Sequence, residues 1–324
     1  MSSSSSLSSP SPALPPTGPD HSAVPTSRAP RTGPRPGHPF GAHVRMRWWA
    51  PPVLVVVTLV VMVVLQLALD VVAQFVEVDL LGAEPSGFSL SPLRLLAANL
   101  SLAATAVVST ALMVVLARVP WRHVLSLGRP FSWRALGRWM LVLAPLLLVA
   151  SVVVSLLMQG MLSAFAITAT TVALILVTLL TTPLQAASEE VIFRGAIMPA
   201  IASWASSPRV AIAIGLIGSS LAFGLVHAAT DPWLIAYYTL FGVSAAAITL
   251  LSSGLEAAIA FHIANNIVNM LIAVLFADGG NVLIDRSAGS GGPAMLLMIA
   301  ADLLTVLLVW LLDRRRRAVV HGTA

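Results

Sequence analysis

The sequence predicts an all-α fold, a polytopic transmembrane helix bundle of about eight spans with a disordered N-terminal tail. Composition is the first reason: 57% of the 324 residues are hydrophobic and only 10% are charged, against roughly 25% charged in soluble domains. The mean hydropathy is accordingly high, at +0.91. Length is the second, because apolar windows of about 20 residues, enough to cross ~30 Å of hydrocarbon, recur along the chain. The third is charge placement: all 18 basic side chains are arginines, and most stand in short polar segments between the windows.

Taken in order, residues 1–44 are rich in Ser, Pro and Gly (MSSSSSLSSPSPALPPTGP at the start) with few large apolar groups. Such a segment cannot bury enough surface to offset its ordering entropy, which predicts a disordered tail. The first apolar run, from Pro51, is too long for a signal-peptide hydrophobic region and lacks a small-residue cleavage site, so it reads as a span. Spans are predicted near Val53–Val76, Leu93–Leu116, Trp139–Met161, Ile167–Ala187, Val210–Ala228, Trp233–Leu251, Leu255–Ala277 and Pro293–Leu312. Arginines 28, 31, 35, 45 and 47 precede the first span, 118, 122, 129, 134 and 138 lie between the second and third, and 314–317 follow the last. The opposite connections Glu77–Ser91, Gly160–Ala166 and Ala229–Pro232 contain no arginine, and Asp278–Gly292 contains only Arg286. By the positive-inside rule both termini are cytoplasmic, in a multi-pass protein of the cell membrane. Four regions follow: the tail 1–44, the first three spans within 45–164, a helical core over 165–278, and a loop, last span and basic end over 279–324.

The net charge of +5 reads as a topology signal, since the arginines do not line one face as a nucleic-acid-binding surface requires. With no cysteine there is no disulfide, thiolate metal ligand or cysteine nucleophile. Ser287–Gly292 (SAGSGG) has no phosphate-binding spacing and reads as a flexible connector. Asp70 and Arg94 fall at span ends where they can reach interfacial water, and Asp302 lies inside the last span with no evident partner. Trp48, Trp49, Trp121, Trp139 and Trp233 read as interfacial anchors.

Glu189 and Glu190 stand where the bilayer should be, and ionisable groups inside a span point to function. Four residues on, Arg194 can pair with Glu190 on one helix face, while Glu189 projects about 100° away without that partner. Later spans add His227, four after Phe223, and His262 with Asn266 four beyond it. Two imidazoles, a carboxamide and a carboxylate converging in a low-dielectric cavity can hydrolyse: an acid–base pair for a water and donors for an oxyanion. A proton or ion relay in a transporter or membrane scaffold uses the same groups.

The ordered set SEEVIFRG, FGLVH and HIANN on successive apolar helices resembles the CAAX-box prenyl endopeptidase and bacteriocin-processing (CPBP, formerly Abi) family of intramembrane proteases, over roughly Thr168–Phe276. The resemblance implies that Glu189 activates water with His227, that His262 and Asn266 stabilise the oxyanion, and that Glu190, Arg194 and Phe223 support the site. It implies a peptide or lipidated-peptide substrate, membrane lipids as surroundings, and glutamate catalysis with no cofactor. Glu189, His227 and His262 equally make a two-histidine, one-carboxylate zinc set, so the zinc reading stays open. No His-Glu-x-x-His helix or Gly-x-Gly-Asp motif occurs, and Gly218-Ser219-Ser220 lacks the turn a serine nucleophile needs. Straight spans do not bring these residues to one depth: Glu189 and His227 each lie about 28 Å of helix from the Pro208 turn, but His262 only about 12 Å beyond Gly254. A kink near Pro183, or a helical or re-entrant extension over Gly195–Pro208, is the expected remedy.

Overall fold

Each long apolar run is a helix in the computed structural model, which describes residues 32–83, 89–157 and 164–322, with side chains to 314. Local chemistry sets the helix starts. Proline, whose missing N–H costs nothing in the first turn, opens α1 (Ala50–Phe75), α2 (Pro92–Ala117), α6 (Pro208–Val226) and α7 (Pro232–Ser252). Ser91 caps α2, Ser132 accepts from Ala135 N at the start of α3 (Trp133–Leu157), Thr168 caps α4 (Ala169–Glu190), and Asp231 caps α7 through Trp233 N and Leu234 N. Helix α5 (Met198–Ala202) is short, and α8 (Glu256–Leu275) and α9 (Met295–Gly322) complete the chain.

Among the described residues, eight helices are long and apolar enough to cross a membrane. Their outward faces stay apolar: Val56, Val60, Val63, Val64, Leu67 and Val71 on α1 are all exposed. In water such a band would be an aggregation surface, whereas in lipid it is solvated. The interior carries the polar groups, including Asn99 on α2, whose amide donates to Thr181 and Thr182 of α4 at 2.7 and 3.3 Å. The strands are two-residue pairs: β1 (Gly33–Pro34) with β2 (Val44–Arg45), and β3 (Ser89–Leu90) with β4 (Val282–Leu283).

Helix α4 is the centre of the site and packs against both α2 and α8. It does not end at Glu190 but continues through a π-helical stretch, Val191–Ile197, into α5, giving 34 helical residues from Ala169 to Ala202. At 1.5 Å per residue this is about 50 Å, longer than the hydrocarbon is thick. The depth problem is thus met by helical extension beyond Gly195, and π-helical turns are a common device at functional sites. The close passage at Gly195 permits it, since a Cβ there would meet Val124 O and Cγ1 at 2.7 Å. Helices α6 and α7 pack as tightly, a Cβ on Gly242 lying 3.1 Å from Ser220 Cα.

Three sequence-based expectations are corrected. Residues 32–44, assigned to the disordered tail, are ordered; the part of that tail before residue 32 lies outside the described residues. The β1–β2 hairpin buries Phe40, Ala42, His43 and Val44. Phe40 packs with Ala186, Leu255 and Ile259, while His43 Nε2 lies 3.0 Å from His123 O. The composition argument failed here because the segment buries its few apolar groups against the helices rather than in a core of its own. Asp70 and Arg94 do not simply reach water: they pair, with Arg94 Nε donating to Asp70 Oδ1 at 2.8 Å. Trp139 is buried, not interfacial.

Candidate active site

Four helices supply the polar centre. Glu190 is fully buried and its Oε1 accepts from Arg194 Nη1 at 3.1 Å, the four-residue pairing expected on one helix face. Arg194 is also fully buried; its Nη2 donates to Gly242 O of α7 at 3.0 Å, and its guanidinium carbon sits 4.6 Å from the centre of the Phe223 ring. Phe223 therefore supports the charge from α6, packing against Phe193, Phe241 and the ring of His262.

His262, on α8, joins the two glutamates. Its Nδ1 lies 2.7 Å from Glu190 Oε1 and its Nε2 lies 3.1 Å from Glu189 Oε2. Glu189 thus has a partner that helix spacing along α4 alone does not reveal. Ionised carboxylates only accept, so an imidazole bonded to both through both nitrogens presents two N–H groups, or a carboxyl holds one of the protons. Glu189 Oε1 has no hydrogen-bond partner among the described residues.

His227 closes the C-terminal end of α6. Its Nδ1 lies 2.7 Å from Phe223 O, and since a carbonyl only accepts, Nδ1 carries the hydrogen and a neutral ring presents its Nε2 lone pair. Tyr238 stacks on the imidazole with centroids 4.0 Å apart. The charge of Glu189 acts on His227, but no hydrogen bond joins the two among the described residues.

Asn266 belongs to a neighbouring amide row. It donates to Gln185 Oε1 at 3.1 Å and accepts from Asn265 Nδ2 at 3.1 Å, and Asn265 in turn accepts from Tyr237 OH and Asn269. The helix face shared by His262 and Asn266 does not make them hydrogen-bonding neighbours. Residue spacing missed Gln185, Asn265, Gly242 and both tyrosines of the chain. Gln185 alone carried a signal, standing four residues before Glu189 on the same face. Asp302 of α9 is fully buried, with no hydrogen-bond partner for either oxygen among the described residues; the charge that acts on it is that of His262, and it acts in turn on Tyr237.

The donor set bears on the zinc reading. A metal-ligating imidazole needs a free lone pair, and both nitrogens of His262 face carboxylates instead. No group of three His, Asp, Glu or Cys side chains among the described residues is arranged to hold a metal ion. Glu189, His227 and His262 as placed do not fit a two-histidine, one-carboxylate centre.

Among curated proteins and solved structures, none matches the chain. Residues 168–268 do match a family model, that of the type II CAAX prenyl endopeptidase Rce1-like proteins. The match begins at the cap of α4 and ends within α8, so it takes in both glutamates, Arg194, His227, His262 and Asn266. Over residues 168–268, this multi-pass membrane chain is therefore similar to the type II CAAX prenyl endopeptidase Rce1-like proteins.

Proposed function

We propose that this protein is an intramembrane endopeptidase whose general base is Glu189. The observation that carries the reading is the division of labour between adjacent carboxylates: Glu190 is committed to Arg194 and His262, while Glu189 is held through one oxygen and keeps the other free. A base held by one bond and open at its second oxygen can take a proton from water without losing its place. His227, with Nε2 unengaged and Glu189 within electrostatic range, helps to polarise that water, and the proton that Glu189 takes from it is later passed to the leaving amine.

His262 acts in two stages on this reading. In the resting site it orients both glutamates. Once Glu189 has taken the proton from water its attraction for His262 Nε2–H falls, freeing that donor for the oxyanion as it forms. Asn266 has a second amide hydrogen beyond the one given to Gln185 and joins it. Glu190 and Arg194 hold the site's shape, and no metal is required. The substrate is a peptide presented at the membrane, with or without a lipid group, and both termini face the cytoplasm, as the arginine placement supports.

The test is cleavage of a peptide library, prenylated and unprenylated, by purified wild-type protein and by Glu189→Gln. Turnover by wild type that Glu189→Gln lacks is the expected result. If the wild type cleaves nothing while protons or ions move through it in vesicles, the relay reading replaces this one.

A further inference from the structure

Arg286 stands in the connection between α8 and α9, outside the segment that matches the family, yet it is tied into the site. Its Nη1 donates to the carbonyl of His227 at 2.8 Å. Its own carbonyl accepts from Thr230 N at 2.9 Å and Asp231 N at 3.4 Å, so the loop is stitched to the α6–α7 turn. The guanidinium carbon lies 5.7 Å from the centre of the Tyr238 ring, the same ring that stacks on His227.

Three other guanidiniums carry an acid, whereas Arg35 of the β1–β2 hairpin, whose Nη2 donates to Ser206 O, is like Arg286 in having none among the described residues. Arg94 has Asp70, Arg129 has Glu256, and Arg194 has Glu190. Arg286 forms no salt bridge among the described residues, and its Nε is buried without a hydrogen-bond partner. The acids beside it, Asp285 in sequence and Asp231 on the turn it is stitched to, are engaged elsewhere: Asp231 accepts from the backbone N–H groups of Trp233, Leu234 and Gly289, and Asp285 from that of Ser287. With Nη1 spent on His227, the edge formed by Nε and Nη2 is left over. That is the edge with which Arg94 grips Asp70, at 2.8 and 3.5 Å. A planar two-donor edge matches a carboxylate, and an unpaired, partly desolvated guanidinium is costly unless an anion completes it.

Resting on the endopeptidase reading, we infer that Arg286 is a substrate-binding residue that receives a carboxylate of the peptide, gripping it through Nε–H and Nη2–H beside His227. The carboxylate is the C-terminus of the peptide or an acidic side chain, and the recognition chemistry is shared. Binding here fixes the peptide's register relative to Glu189 and His227, so position along the chain, and not only sequence, selects the bond to be cut.

Binding is tested apart from turnover with three dansylated tripeptides on the full chain in detergent. The probes are Val-Ile-Leu as free acid, Val-Ile-Leu as C-terminal amide, and Asp-Ile-Leu as C-terminal amide, each titrated against wild type, Arg286→Gln and Arg286→Lys. Wild type should bind the free acid at least about tenfold more tightly than the apolar amide, Arg286→Gln should bring the acid to the level of the amide, and Arg286→Lys should fall between. A strong Asp-Ile-Leu amide that also loses its advantage in Arg286→Gln identifies the side-chain carboxylate as the source. Equal binding of all three to wild type, a preference that survives in Arg286→Gln, or no binding of any probe overturns the inference. The wild-type comparison needs no variant to fold. Loss of library cleavage on Glu189→Gln is read separately, so the two proposals fail independently.

Discussion

His262 Nδ1 lies 2.7 Å from Glu190 Oε1, the oxygen that also receives Arg194 Nη1 at 3.1 Å. One carboxylate oxygen thus ties α8 to α4, and through Arg194 Nη2 and Gly242 O it ties both to α7. Glu190 Oε2 is left buried with no partner among the described residues. The arrangement concentrates structural consequence on Glu190 and leaves Glu189 free for chemistry, a separation that mutation can read.

Glu189→Gln should lose about 10²–10⁴-fold in turnover, the usual cost of removing a general base, with a melting temperature close to wild type. Glu190→Gln should lose both activity and stability, because breaking a buried ion pair from one side costs ~3–5 kcal/mol. Thermal unfolding in detergent beside a cleavage assay separates them. A Glu190→Gln protein that melts like wild type but is inactive reverses the two roles.

Metal stripping addresses the reading that the donor set disfavours. Protein treated with a strong chelator should keep its activity and its melting temperature, and elemental analysis should find well under one zinc per chain. Bound metal would stabilise the fold by mass action, so a melting temperature that falls on stripping and returns with stoichiometric zinc would sink the metal-free mechanism.

Gly242→Ala should reach the site from a distance. The added Cβ would lie 3.1–3.2 Å from Ser220 Cα, Cβ and O, so α7 must move away from α6 by a few tenths of an ångström. That displaces the carbonyl holding Arg194. Activity should fall by at least tenfold with a modest loss of stability, about 1–3 kcal/mol for overpacking. Ala246→Gly, one turn along α7, is the control for helix propensity alone and should cost about 1 kcal/mol with little effect on turnover.

The eight spans and the Glu190–Arg194 pair were legible because each is a local fact, an apolar run of sufficient length or two residues one turn apart on one helix. The bond from Glu189 to His262 was not, because it joins residues 73 positions apart across α4 and α8 and depends on their relative rotation. Asn266 shows the converse limit. Its spacing from His262 placed both on one face, yet the register of α4 against α8 sets Gln185 opposite Asn266 and Glu189 opposite His262. The hairpin at Gly33–Arg45 was hidden by composition: eleven residues lie between the ends of a segment rich in Pro and Gly, and Phe40 is buried against residues of α4 and α8 far along the chain.

His43 gives that hairpin a pH dependence. The buried imidazole accepts from Gly41 N through Nδ1 and donates to His123 O through Nε2, a pattern only the neutral ring can satisfy. Burial pushes its pKa down from 6.5 to about 4, against the smaller upward pull of the His123 carbonyl. Below pH 6.5 the unfolded segment takes up a proton that the folded one refuses. The contribution of His43 is therefore complete above about pH 6.5 and is lost as pH falls from there towards 4, in total about 3 kcal/mol at ~1.4 kcal/mol per pH unit. The chain has no cysteine, so Pro36→Cys, at an exposed position of the hairpin, accepts a single environment-sensitive fluorophore. Its signal should report release of the hairpin between pH 6.5 and 4. The same titration on a His43→Asn background should be flat across that interval; an unchanged transition there would assign the pH response to some other group.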